Sequence, residues 1–499
     1  MPHAKTSPLV FLILGFVWIL GAYARLLPAM LTHFPVTDGG LFFLMAQAVQ
    51  NSHYALPAFV EYNGLTIPFA YPPLGFYFAA FLSDVFHLPL WSVFRWLPAA
   101  LSIAFMLAFY PLAAAVLRSP LKGAFAAAFF ALLPRSIGWF VMGGGITRAW
   151  GQLFLILTLN AAYRLFTTGE RKYLAQTILF GAGAVLSHPE SALHTAALSA
   201  ALWLFFGRDQ RGIKNALLAA LGVAALIAPF FGTVLARHGM TPYQNAMNAS
   251  LHNFTAWLYL FNGAFADEKF IAVISALALL GLALTLLRRE FFLAIWLILP
   301  ALLDPRGAAS VSILAWALLA AIGFAEVVLP GLGLNAEQEN SALRSPRFRF
   351  VFIGLVLYAF VGLAASGQAY LKLSVNESER AAMRWAAENL PARSRFLVVT
   401  GSSLAFSDAV SEWFPALTPH ISLLTPQGAE WLNDKSFTQR LGEYDALQAC
   451  LNQSADCLSA QNADYIWTKN PSPLAESLQA GGAPLVYQND SVLIFESQP

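Results

Sequence analysis

Residues 8–40 read PLVFLILGFVWILGAYARLLPAMLTHFPVTDGG. The apolar run 8–30 has about the length, roughly 20 residues, that crosses a hydrocarbon core. It follows a short head carrying Lys5. It is too long for a signal-peptide h-region, and no small-residue cleavage site follows it, so it reads as a retained anchor. Just beyond it comes Thr37-Asp38-Gly39-Gly40, an acidic residue followed by two glycines that free the backbone to turn. The stretch 41–49 then reads as a helix.

The rest of the chain repeats this apolar pattern. Of its 499 residues, 58% are hydrophobic and only 11% charged, with a mean hydropathy of +0.59. Soluble domains carry about 25% charged residues. The chain therefore reads as an α-helical polytopic membrane protein. Eleven spans are expected: 8–30, 95–117, 121–141, 149–167, 172–187, 191–206, 214–235, 269–287, 290–303, 308–330 and 349–371. The net charge of +2 says nothing about nucleic acid, but no basic run resembles a nucleic-acid patch, so no such partner is expected.

The basic residues set an orientation. Lys5, Arg118/Lys122, Arg164/Arg171/Lys172, Arg208/Arg211/Lys214, Arg288/Arg289 and Arg344/Arg347/Arg349 all fall on one side of these spans. By the positive-inside rule that side is cytoplasmic. The outer side receives loop 31–94, the Gly143-Gly144-Gly145 turn, His188-Pro189-Glu190, Asp304-Pro305-Arg306 and the tail. The stretch 71–86 is apolar and aromatic. Counting it as a span would spoil the alternation of charge, so it is expected to lie along the interface.

The chain divides into a transmembrane part, 1–373, and a polar tail, 374–499. The tail reads as a small extracytoplasmic α/β domain. A helix is expected at 377–390, a strand at 395–400, a helix across 428–451, a strand at 465–468 and a hairpin from 484–487 to 492–496. Cys450 and Cys457 are the only cysteines. In an exported tail they suit a disulfide, and the alternative is two free thiols.

Several outer residues suit chemistry. A carboxylate at Asp38 is placed to take a proton from an acceptor hydroxyl, although Asp before an apolar run is also a common helix N-cap. Arg135 and Arg148 flank the three glycines, whose free amides would cradle a phosphate between two cations. The plainer reading is a tight turn with arginines reaching toward lipid phosphate. His188 and Glu190 are suited to metal binding or proton relay, or to a polar turn with Pro189 opening the next helix. Asp304 and Arg306 are placed for substrate binding or for a local ion pair. Glu326, at the cytoplasmic end of a span, reads as a side chain reaching out to the interface.

The layout is one span, an outer loop opening on Asp38, a Tyr71-Pro72-Pro73-Leu74-Gly75-Phe76-Tyr77 stretch, and a span opening Arg95-Trp96-Leu97-Pro98. It resembles the polyprenyl-phosphate-dependent GT-C fold membrane glycosyltransferases. The nearest in pattern are the protein O-mannosyltransferases and the aminoarabinose transferases. The resemblance implies that Asp38 is the catalytic loop aspartate. Tyr71, Pro72 and Pro73 would open a juxtamembrane helix. The donor would be a sugar on a polyprenyl phosphate, and the acceptor a glycan, lipid or protein. Many relatives carry a second acidic residue beside the loop aspartate, where this chain has glycines, so a divalent metal is left open. The tail contains Glu412-Trp413-Phe414-Pro415 and Gln427-Gly428-Ala429-Glu430-Trp431, and it lacks the Trp-Trp-Asp-Tyr-Gly motif of oligosaccharyltransferases.

The expected function is therefore inverting sugar transfer on the outer face of the cytoplasmic membrane, with Asp38 as general base. Tyr71, Arg135, Arg148, His188, Glu190, Asp304 and Arg306 would bind substrate. The competing reading is a flippase for lipid-linked saccharides or another transporter. That reading calls for polar residues in mid-span or broken helices.

Overall fold

The computed structural model describes residues 7–249, 257–258, 260, 265, 271–334, 345–432, 436–458 and 462–497. Lys5, Arg344 and the start of the expected 269–287 span lie outside them.

Helix α1 is Pro8–Leu31, and α2 is Gly40–Asn51. A hairpin, β1 (Phe59–Tyr62) and β2 (Leu65–Pro68), leads to α3 (Leu74–Phe86). Then come α4 (Leu90–Val116), α5 (Pro120–Leu132), α6 (Gly145–Thr168), α7 (Arg171–Val185), α8 (Pro189–Phe206), α9 (Gln210–His238) and α10 (Thr241–Ala249). The bundle closes with α11 (Val273–Leu287), α12 (Phe292–Leu303), α13 (Ala308–Gly323) and α14 (Pro346–Leu371). A helix occupies part or all of each stretch expected to span, but the one expected over 121–141 ends at Leu132, before Pro134, and Pro134–Phe140 turns away by 85°. Among the described residues five helices are long and apolar enough to cross a membrane by length and composition, or six if the bent pair at Pro134 is one span.

Local sequence explains how these helices start. Ser7-Pro8, Ser119-Pro120 and Ser345-Pro346 each put a serine at the N-cap, where its hydroxyl accepts a helix amide, and a proline at N1. Burial then sorts the helices. Residues 311–323 of α13 are all buried, as expected of a helix that is apolar on every face. Helix α9 is largely uncovered by protein, so its apolar surface is left for lipid. Beyond Gly323, α13 passes through a π-turn (Phe324–Val328) that carries Glu326. Its carboxylate is held by Lys122 and Arg288, so it ties together three helix ends instead of reaching out alone.

The tail contains α15 (Glu377–Asn389), β3 (Arg395–Val399), α16 (Ala409–Leu417), β4 (Ile421–Ser422), α17 (Ser436–Gln448), β5 (Tyr465–Lys469), α18 (Pro473–Ala480), β6 (Leu485–Gln488) and β7 (Val492–Glu496). The sheet order is β4-β3-β5-β7-β6, with β3 parallel to β4 and β5, and β7 antiparallel to both of its neighbours. Strand alternation sends Phe396, Val398, Trp467, Val492 and Ile494 to a core shared with α2 and α3. Leu397, Val399, Ile466, Leu493 and Phe495 face a second core containing Cys450. Cys450 and Cys457 form a disulfide. The single helix expected across 428–451 is broken into a 3-10 turn at Ala429–Trp431, then α17, then a second turn at Ala449–Asn452. Gly428, at φ +91°, opens the first turn, and Leu432, in extended backbone, closes it.

Candidate active site

Asp38 is not a helix cap. The N-cap of α2 is Gly39, at φ +130° and without a side-chain bond. The buried Asp38 carboxylate turns instead to the start of α6. Its Oδ1 accepts the Gly144 amide at 2.9 Å, and its Oδ2 pairs with Arg148 Nη2 at 2.6 Å. A carboxylate is favoured there because helix N-termini present free amides and positive potential.

The three glycines do not cradle a phosphate. Gly143 N donates to Val36 O at 2.8 Å, Gly144 N to Asp38, and Gly145 N to Met142 O at 2.9 Å, so these amides are already engaged. The glycines are needed for close approach. A Cβ at Gly143 would lie 2.0 Å from the Asp38 carbonyl oxygen, and one at Gly144 would lie 2.4 Å from Asp38 Oδ2. Of the two flanking arginines, only Arg148 reaches Asp38. Arg135 sits in the turn Pro134–Ser136, where Pro134 lines an apolar cavity of about 490 Å³ together with α14 residues such as Leu363 and Tyr370.

A second polar group forms where α8 and α13 begin. His188 caps α8, its Nδ1 accepting the Ser191 amide at 3.4 Å. Burial, and then the Arg148 and Arg306 charges, hold His188 well below the usual histidine range, so the ring stays neutral and can accept. Asp304 accepts the Arg306 and Gly307 amides at 3.2 and 3.1 Å and faces His194 Nε2 at 3.5 Å. The Arg306 guanidinium faces Glu190, at 3.8 Å, and not Asp304. It also lies over the Phe406 ring of the tail, 5.5 Å from the ring centre.

Tyr71 joins the two groups. Its hydroxyl lies 3.4 Å from Thr147 Oγ1 on α6. Its ring packs against Phe42 of α2, Trp431 of the tail and His188, with centroids 4.9, 5.8 and 6.3 Å away. Asp38, Arg148, Tyr71, His188, Glu190, Asp304 and Arg306 thus share one region.

The tail contributes residues that sequence reasoning gave no role. Glu412 Oε1 accepts the Gly39 and Gly40 amides at 2.8 and 3.1 Å. Burial, and then the Asp38 charge, push its carboxyl up to about 8. Among the described residues, Glu430 Oε2 and Arg148 Nη1 are buried polar atoms without a hydrogen-bond partner. The available signal was an acidic residue inside the apolar run Val410 to Leu417, at Glu412. A further omission is Arg25 of α1. It is fully buried and donates to Ser102, Ser136 and the Gly21 and Ala131 carbonyls, which fixes α1 against α4 and α5. A cation inside an apolar span is itself the signal there.

The raised Glu412 pKa makes stability depend on pH. Between about 4.5 and 8 the folded chain keeps a proton that the unfolded chain has released, so stability should fall as pH rises through that window and level off above it. Thermal melts from pH 4.5 to 9 should show this slope in the wild type and a flatter one in Glu412→Gln. Parallel profiles would remove Glu412 as its source.

Among the described residues no three His, Cys, Asp or Glu side chains converge as metal ligands. Asp38 instead faces a guanidinium and a backbone amide, a donor set that does not fit a divalent ion.

No protein-family model matches this sequence, and no curated protein matches it. Solved structures do. ArnT from Cupriavidus metallidurans, in the apo state, aligns over 97% of both chains at 13% identity, with a TM-score of 0.57. The arabinofuranosyltransferase AftD from mycobacteria aligns over 97% of this chain and 40% of its own, at 15% identity and a TM-score of 0.56. The Archaeoglobus fulgidus oligosaccharyltransferase AglB, in complex with an inhibitory peptide and a dolichol-phosphate, aligns over 92% and 69%, at 14% identity and a TM-score of 0.54. The chain has the GT-C fold. At these identities the likeness establishes the fold, which is that of multi-pass membrane glycosyltransferases. In this GT-C chain, Asp38 lies in the loop between α1 and α2.

Proposed function

We propose that this GT-C chain is a glycosyltransferase that moves a sugar from a polyprenyl-phosphate donor to an acceptor hydroxyl, on the outer face of the cytoplasmic membrane and with inversion. One observation carries the reading: the buried Asp38 carboxylate is paired with an Arg148 that still has an unpartnered Nη1.

The chemistry follows from those two groups. The acceptor oxygen attacks the anomeric carbon from the face opposite the phosphate, while Asp38 takes its proton. The carbon–oxygen bond to the phosphate breaks, and polyprenyl phosphate leaves with the bonding electrons. Arg148 and Arg306 stabilise the charge that grows on the leaving group. Arg148 is paired with Asp38. An incoming phosphate competes for that guanidinium through Nη1, and drawing it away makes Asp38 a freer base. The donor's lipid chain would lie in the bilayer against the bundle. Arg135, in the turn Pro134–Ser136, is assigned to the lipid-phosphate boundary and not to the reacting atoms.

The deciding experiment incubates purified protein with a panel of polyprenyl-phosphate sugars and hydroxyl acceptors and follows release of polyprenyl phosphate. Release coupled to acceptor glycosylation is expected. Movement of lipid-linked saccharide across vesicles without release would favour the transporter reading.

The orientation is tested separately. A membrane-impermeant thiol reagent added from outside should label a cysteine placed at Asn489, in the β6–β7 turn, and miss one at Ser345, the cap of α14. The reverse pattern would put Asp38 on the cytoplasmic side and end the proposed site.

A further inference from the structure

The loop that carries Asp38 is held by the tail. Thr37 sits at φ +53°, a left-handed conformation that a β-branched residue adopts only when its surroundings impose it. Its amide donates to Leu373 O at 2.7 Å, and its carbonyl accepts from Trp413 Nε1 at 2.9 Å. The next amides available from the tail side are those of Gly39 and Gly40, and both donate to one oxygen of Glu412.

The packing leaves no slack. A Cβ at Gly40 would lie 2.4 Å from the Glu412 carbonyl oxygen, and one at Gly39 would lie 3.1 Å from the Trp413 ring. Trp413 is fully buried, with Phe34 edge-on at 4.7 Å and Phe43 at 5.6 Å. Glu412 is fixed in its turn. The Tyr62 hydroxyl donates to its carbonyl at 2.8 Å, and Gln427 donates to Oε2 at 3.3 Å. So helix α16 of the tail grips the residues on both sides of Asp38, and the Asp38 side chain is left facing Gly144 and Arg148.

We propose that Glu412 is a positioning residue: by accepting the Gly39 and Gly40 amides it sets the backbone that aims Asp38, so the site is complete only with the tail docked. This rests on the proposed transfer reaction for its catalytic consequence, but not for its structural one. The charged and titratable groups facing Glu412 are Asp38 of the loop, Arg148 of α6, and Glu430 from the turn after Gly428, with Tyr62 of β1 at its backbone. Protonated or ionised, Glu412 retains an oxygen for the two amides. Glutamine retains one as well, and alanine does not.

The test is hydrogen exchange on the full-length protein in detergent micelles, at one pH, without any substrate. In Glu412→Ala the peptide covering residues 36–43 should exchange about tenfold faster or more, while peptides from β5 and β7 stay protected. Glu412→Gln should keep wild-type protection of 36–43. If alanine unfolds the tail, Glu412→Met replaces it, filling the space without an acceptor, and the same rise at 36–43 is expected. Unchanged exchange at 36–43 in the acceptor-less variant would overturn the proposal. So would a loss of protection in Glu412→Gln equal to that in Glu412→Ala.

A turnover arm then connects position to chemistry. With a donor that the wild type uses, Glu412→Ala should lower kcat about 10²-fold with donor KM little changed, because misplacement of a reacting group by an ångström costs about that much. Glu412→Gln should recover most of it and should lose any kcat inflection near pH 8. A kcat unchanged in Glu412→Ala would overturn the catalytic consequence. Absence of turnover by the wild type on every donor would count against the proposed reaction, and the exchange result would then decide the positioning role by itself.

Discussion

Asp38→Asn should lower sugar transfer 10²–10⁴-fold, about 3–5 kcal/mol of barrier, which is the usual loss when a general base is removed. Asparagine has nearly the same size and still offers an oxygen to the Gly144 amide, but it cannot accept the acceptor's proton. A capping role would predict no loss, since Asn caps about as well as Asp, and Asp38 makes no capping bond to α2. The structural cost should be small beside the catalytic one. The Gly144 bond survives, and the Arg148 side chain remains 22% exposed, so its charge is not left in a dry interior. Donor-lipid binding should stay near wild type. Release of polyprenyl phosphate gives the rate, and a thermal melt gives the control. An Asn variant keeping more than about a tenth of the activity would rule Asp38 out as the base, and the proton acceptor would have to be sought at Glu190 or Asp304.

Arg148→Gln should cost about 10²–10³-fold in kcat, the range for removing a single preorganised donor from a developing anion. It should also weaken binding of the donor phosphate, because Nη1 is the open valence at the site. Arg148→Lys should recover little. An ammonium keeps the charge but not the planar fork through which the phosphate can draw the guanidinium from Asp38. The control separates this from a folding effect: polyprenyl phosphate without sugar should bind more weakly to Arg148→Gln than to Asp38→Asn. Equal phosphate affinity in the two variants, with transfer lost in both, would confine Arg148 to orienting Asp38.

Hydrophobic period and charge placement made most of the helices legible. The bilayer demands long apolar runs, and the Ser-Pro starts at 7–8, 119–120 and 345–346 mark their ends chemically. The helix Leu74–Phe86 and the hairpin of β6 and β7 were legible for the same reason, since local pattern determines local structure. The division of 428–451 was not, because its residues are compatible with one helix, whereas Leu432 is extended and Trp431 packs on Tyr71 outside the tail.

For the site, the sequence by itself singled out Asp38, Tyr71, Arg148, His188, Glu190, Asp304 and Arg306 as candidates, which the fold brings into one region, together with Arg135, which makes no contact with Asp38. It could not determine their partners. A sequence lists the amides of Gly143, Gly144 and Gly145 as free, and only the fold shows them engaged by the Asp38 loop. It sets Asp304 beside Arg306, yet the turn gives Asp304 to backbone amides and sends the guanidinium to Glu190. Glu412 lies 374 residues from Asp38 in the chain (412 − 38), and no local periodicity connects them. Their contact exists because one face of the tail's sheet shares its core with α2 and α3, and so lays α16 across the loop. Hydrophobic burial brings the two segments together, and hydrogen bonds to the backbone of Gly39 and Gly40 then fix the position of Asp38, which is why the tertiary structure alone decided how this carboxylate is aimed.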